Sequence, residues 1–303
     1  MTAASVVGDD FHPDLRTIAR LLPRHVVLPS TLKPLRALTA LQGVPPPRDV
    51  EVGALPSGAG VRVHRPAEQV TPGPGLLWIH GGGYVLGRAK QDDNLCRRFA
   101  RALGATVAAV DYRLAPEHPF PAALEDCYAA LTWLAGQPAV DPDRVAIAGA
   151  SAGGGLTAAL ALHARDVGFA VRPVLQLLVY PMLDDRTLTR RDLDGTRYRL
   201  WSEDSNRFGW TSYLAGGDPR IAVPARQEDL TGLPPAWVGV GTRDMFHDED
   251  LAYADRLKAA GVPCHVEIVP GAFHGFDVVR PKAGVSQAFF ASQCTSLREA
   301  FAI

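Results

Sequence analysis

The chain has 303 residues, 47% hydrophobic and 21% charged. That is enough apolar material for a packed globular protein, and it excludes a disordered tail protein. With 31 basic and 32 acidic side chains the net charge is −1, which argues against nucleic-acid or membrane-surface binding through bulk charge. The length leaves room for two small domains or one large α/β domain.

In chain order, the first ~40 residues read as helical, broken by prolines and without a strand. Val61–His64 alternates as a half-exposed strand, and Gly75–Ile79 is a continuous apolar run, as in a strand covered on both faces. Thr106–Val110, Arg144–Ala148, Val174–Val179, Ala236–Val240 and Cys264–Val269 repeat that character. Helical patterns lie between and after them: Gln91–Leu103, Ala122–Leu134, Ala152–Arg165, Glu249–Ala260 (with Asp248 as N-cap and Gly261 closing the end) and Ala283–Ala300. Strand–helix alternation of this kind predicts a mostly parallel sheet with helices on both faces. Residues 184–224 interrupt it with a polar stretch rich in Arg, Trp and Tyr. Together with residues 1–40 they are expected to form a cap over one end of the sheet.

The four cysteines, Cys96, Cys127, Cys264 and Cys294, form no C-x-x-C pair. They are too sparse for a disulfide scaffold and read as buried reduced thiols. The first residues carry no basic and apolar leader pattern, and no apolar run approaches the ~20 residues of a bilayer span. The expectation is a cytoplasmic protein that does not insert into membranes.

The sharpest motif is Gly149-Ala-Ser-Ala-Gly153, directly after one expected strand and opening the next helix. This is the setting of a nucleophile elbow, where a strained turn holds a serine above the sheet and next to a helix N-terminus. An overlapping Gly153-x-Gly155-x-x-Ala158 matches the dinucleotide fingerprint, but its first glycine falls inside the helix rather than at the strand end. His80-Gly-Gly-Gly83 follows an earlier strand. Bare glycine backbone there can aim N–H groups at a developing oxyanion, while the His80 side chain is expected to hold the loop.

A serine nucleophile needs a base, and the base an orienting acid. His274, in a glycine-flanked loop after the strand Cys264–Val269, is the candidate base; His163, His247 and His265 read as packed or capping residues. Asp244 follows the strand Ala236–Val240 and is the candidate acid. Asp248, Glu249 and Asp250 fall in the first turn of the next helix, where carboxylates complement its dipole. Arg113, Glu117 and Asp126 could form an ionic network under the site, or be an ordinary solvated cluster.

Taken together, His80-Gly-Gly-Gly83, Asp111-Tyr-Arg-Leu-Ala-Pro-Glu117, Gly149-Ala-Ser-Ala-Gly-Gly154, Asp244 through Asp248-Glu249, and His274-Gly-Phe276 resemble the hormone-sensitive-lipase-like carboxylesterases, bacterial family IV of the α/β-hydrolase superfamily. The resemblance implies one α/β-hydrolase domain over residues 1–303, with a mostly parallel eight-stranded sheet and a helical cap. It implies Ser151, Asp244 and His274 as the triad and the backbone N–H groups of Gly82, Gly83 and Ala152 as the oxyanion hole, with His80 and Gly81 in support. The implied substrates are short- to medium-chain acyl esters, the implied cofactor and metal requirement is none, and pairing into a homodimer through edge strands is possible. Amidase, peptidase or lactonase chemistry would use the same triad. A non-catalytic receptor on the same fold, like the plant gibberellin receptors, would lack His274. Two departures stand out: Ala150 replaces a frequent Asp before the nucleophile, and Arg243-Asp244-Met-Phe-His247 replaces the usual Asp-Pro-Leu context of the acid.

Overall fold

A computed structural model describes residues 11–24, 26–41, 49–67 and 70–303. The first ten residues of the expected cap, and His25, lie outside the described residues. The strands are β1 (Glu51–Ala54), β2 (Gly60–His64), β3 (Gly73–Ile79), β4 (Thr106–Asp111), β5 (Val140–Ala150), β6 (Gln176–Val179), β7 (Ala236–Arg243) and β8 (Cys264–Phe273). They make one eight-stranded sheet in the order β1-β2-β4-β3-β5-β6-β7-β8. β1–β2 and β2–β4 are antiparallel, and every later pairing is parallel. β1 has no counterpart among the sequence-predicted strands, because its four residues are all exposed and carry no apolar alternation.

The helices are α1 (Arg16–Leu21), α2 (Pro29–Leu41), α3 (Asp93–Leu103), α4 (Ala122–Ala135), α5 (Ala152–Asp166), α6 (Glu203–Leu214), α7 (Pro219–Ala222), α8 (His247–Ala259), α9 (Phe276–Val279) and α10 (Gly284–Phe301). Side chains alternate along the buried strands, so each strand feeds two apolar layers. Leu77, Ile79 and Ile147 point to the layer shared with α4, α5 and α8, whereas Leu76, Trp78 and Trp237 point to the layer shared with α3 and α10. This two-sided cover is why β3, buried at all seven positions, reads as an unbroken apolar run.

Three local expectations need correction. α8 starts at His247 with Phe246 at its N-cap, not Asp248; Asp248 instead pairs with Arg190 and His247. Gly261 does follow the helix in a left-handed conformation at φ +78. The ionic cluster is divided: Arg113 holds Asp126 at 2.9 Å, but Glu117 pairs with Arg36 of α2 at 2.8 Å. Cys264 is only half-buried, unlike Cys96, Cys127 and Cys294; all four are free thiols. Among the described residues no helix is long and apolar enough to cross a membrane.

Candidate active site

The sheet register assembles the site. Ile79 of β3 pairs with Gly149 of β5, so the glycine loop at 80–83 and the turn at 149–153 leave the sheet side by side. The strand order departs in opposite directions from β3 and β5, and ligands bind at such switch points, outside the carboxyl ends of the strands. Two strands further on, Arg243 of β7 pairs with Phe273 of β8. The next residue of each is Asp244 and His274, so these too emerge as neighbours.

Ser151 sits at φ 58, ψ −122, a conformation forbidding for an ordinary L-residue and worth about 1–3 kcal/mol of strain. The turn closes only because its flanks lack side chains. A Cβ on Gly149 would stand 2.3 Å from the Gly153 carbonyl oxygen, and one on Gly153 would stand 2.1 Å from that of Ile79. The Ser151 N–H donates to Val179 of β6 and its carbonyl accepts from Gly155 and Met182. The strained residue is thus held from both sides.

The structure brings the three distant side chains together. His274 Nδ1 lies 2.7 Å from Asp244 Oδ2, and His274 Nε2 lies 2.9 Å from Ser151 Oγ. All three are buried, with Ser151 at 6%, Asp244 at 4% and His274 at 9% exposure. Asp244 Oδ1 accepts from the Phe246 N–H at 3.0 Å, which fixes the carboxylate plane. Edge-to-face contacts from Tyr180 and Phe246 pin the imidazole ring. A carboxylate offers only acceptors, so Nδ1 carries the proton and Nε2 is left to accept from the serine hydroxyl.

The 80–83 loop bends back on itself, with Gly82 at φ +128 and its carbonyl accepting from Val85 and Leu86. Among the described residues the N–H groups of Gly82, Gly83 and Ala152 donate to no protein acceptor. His80 is fully buried, and its Nδ1 contacts the Gly81 carbonyl at 2.8 Å. It stacks on Tyr112, whose hydroxyl donates to the His80 carbonyl. Burial lowers its pKa, so this imidazole stays neutral and acts as a brace for the loop.

Ser151, His274, Gly81 and Gly82 line one cleft of about 340 Å³ with Val27, Trp78, Asp92, Tyr180, Leu200, Trp201 and Asp277 among its walls. A larger cavity of about 420 Å³ between α5 and Pro234 holds no nucleophile. Sequence reasoning did not single out Asp92, Tyr180, Trp201 or Asp277. Asp277 had a usable signal, lying three residues after His274. It also treated Glu249 as a simple dipole partner. Glu249 is in fact buried and accepts from the Leu183 and Asp184 N–H groups and the Thr187 hydroxyl. It ties α8 to the start of the 184–224 segment; burial pushes its carboxyl up to about 8 against those hydrogen bonds.

Residues 76–278 match the family model described as the alpha/beta hydrolase fold. Esterase LipI of Mycobacterium tuberculosis is 37% identical over 239 residues, 75% of this chain and 74% of that protein. Carboxylesterase NlhH of the same organism is 34% identical over 91% of this chain and 92% of its own. Among solved structures, a bacterial heroin esterase superposes with a TM-score of 0.85 at 35% identity, covering 96% of this chain and 98% of that one. The chain belongs to the α/β hydrolases and, within them, to the hormone-sensitive-lipase-like carboxylesterases, a family of carboxylic ester hydrolases.

Proposed function

We propose that this chain is a serine esterase for short- to medium-chain acyl esters, with Ser151 as nucleophile, His274 as general base and Asp244 as the group that orients and stabilises the imidazolium. The observation that carries the reading is the His274 ring spanning Asp244 and Ser151 at 2.7 and 2.9 Å. Ser151 Oγ attacks the ester carbonyl as its proton passes to His274 Nε2. The unoccupied N–H groups of Gly82, Gly83 and Ala152 receive the negative charge on the carbonyl oxygen, with the N-terminus of α5 behind them. The carbon–alkoxy bond breaks, His274 returns its proton to the departing alcohol, and an acyl-serine remains. Water repeats the sequence and releases the carboxylic acid.

In this reading one domain does the chemistry, and the 11–41 and 184–224 segments cap it. Support comes from the contacts between them: Arg199 donates to the Ala19 carbonyl, and the Leu200 N–H donates to that of Pro23. We place the enzyme in the cytoplasm, with pairing through an edge strand of the sheet, β1 or β8, as the route to a homodimer. The test is Ser151→Ala, assayed on p-nitrophenyl butyrate. Hydrolysis is expected to fall to background while circular dichroism and Tm stay at wild-type values; activity near wild type would remove Ser151 from its role.

A further inference from the structure

One wall of the catalytic cleft is acidic. Asp92, at the end of the short turn before α3, is 8% exposed, and its Oδ2 accepts from the Trp78 indole N–H at 2.8 Å. Asp277, in α9, accepts from the Tyr180 hydroxyl at 2.8 Å. Both line the cleft that holds Ser151 and His274. Burial pushes both carboxyls up, Asp92 to about 7, and the negative charge of Asp277 adds to the rise at Asp92.

Some buried acids of the chain have a cation beside them, whereas Glu249 and Asp250, among the described residues, do not. Asp93, adjacent to Asp92, is held by Arg62 at 2.6 Å and by His64, and Asp126 is held by Arg113. Among the described residues no lysine or arginine pairs with Asp92 or Asp277. Two near-neighbour carboxyls without a counter-charge are costly in a partly dry cleft, and a cation that enters removes the cost. The same cleft presents Tyr180 and Trp201, aromatic side chains of the kind that hold ammonium groups. Asp277 follows His274 by three residues, and both line the cleft.

We propose that the cleft takes esters whose alcohol portion carries an ammonium group, seated between Asp92, Asp277 and the aromatic walls. The inference rests on the esterase reading above. The reaction is unchanged: ester and water give the carboxylic acid and the ammonium alcohol.

The test compares kcat/KM for butyrylcholine with that for 3,3-dimethylbutyl butyrate, its uncharged carbon isostere, at pH 8. The wild type is expected to favour the choline ester at least tenfold, and tetramethylammonium to inhibit competitively. In Asp92→Asn, Asp277→Asn and the double variant the ratio of the two kcat/KM values falls, at least tenfold in the double variant. Using the ratio cancels any loss common to both esters. A wild type that hydrolyses the neutral ester without preferring the charged one overturns the inference and leaves the esterase reading standing, as does a preference that survives the variants. If neither ester is hydrolysed, the esterase reading fails, and calorimetry with choline decides the rest. Choline binding that weakens tenfold in the double variant supports the acidic wall, and no binding overturns it.

Discussion

Replacing Asp244 by Asn tests the orientation of the imidazole with almost no change of volume. The Phe246 N–H donates to Oδ1 at 3.0 Å, so the asparagine must place its oxygen there. Its NH2 group then occupies the Oδ2 position, 2.7 Å from His274 Nδ1. An NH2 can only donate, so Nδ1 must become the acceptor and the ring proton moves to Nε2. Nε2 is the atom 2.9 Å from Ser151 Oγ, and once protonated it can no longer take the serine proton. In serine hydrolases this tautomer error costs roughly 10⁴ in kcat, or about 5.5 kcal/mol at ~1.36 kcal/mol per tenfold. Because the ground-state contacts of the substrate are untouched, KM should stay within about threefold. The assay is steady-state hydrolysis of p-nitrophenyl butyrate, with Asp248→Asn as the companion. The Asp248 side chain is 56% exposed and bonds Arg190 and His247, not His274, so its variant should keep kcat within about threefold. An Asp244→Asn enzyme within tenfold of wild type, or an Asp248→Asn enzyme more damaged than it, would refute the assignment of the acid.

Two further outcomes follow from the packing. Gly82→Ala would place a Cβ 1.9 Å from the Leu86 carbonyl oxygen at a residue with φ +128, so the loop must move its N–H; kcat should drop by about 10²–10³, the usual cost of losing an oxyanion donor, and unchanged kcat would show that this N–H is not used. Asp250 is fully buried on α8, and neither of its oxygens has a hydrogen-bond partner among the described residues; burial, then repulsion from Glu249 and Asp244, pushes its carboxyl well above the ordinary range. Above about pH 4 the unfolded chain releases this proton while the folded chain keeps it, so its contribution falls as pH rises. Asp250→Ala should therefore be more stable than wild type by about 1–3 kcal/mol at pH 8, with a smaller gain at pH 4 in urea titrations; a gain that grows toward acid would reverse the assigned sign.

Local chemistry explains how much could be read without coordinates. A strand covered on both faces must be apolar throughout, and a tight turn into a helix must be built from small residues. Gly75–Ile79 and Gly149–Gly153 were therefore legible in one dimension. So were the glycine loop at 81–83 and the places of Asp244 and His274, each just past a strand end. β1 was not legible, because four exposed residues carry no apolar period and are a strand only through pairing with β2. The partner of Glu117 and the duty of Glu249 were equally hidden, since each meets groups 81 and 62–66 positions away. The sequence by itself determined the alternation of elements and the chemical types at their ends, because those depend on neighbours along the chain. Only the tertiary structure decided which ends meet. The pairings Ile79–Gly149 and Arg243–Phe273 set the register, the order of strands put β6 between nucleophile and acid, and the return of Asp277 beside Asp92 gave the cleft its charge. The meeting of those two carboxyls in one cleft without a cation is a property of the space they share, and no spacing along the chain expresses it.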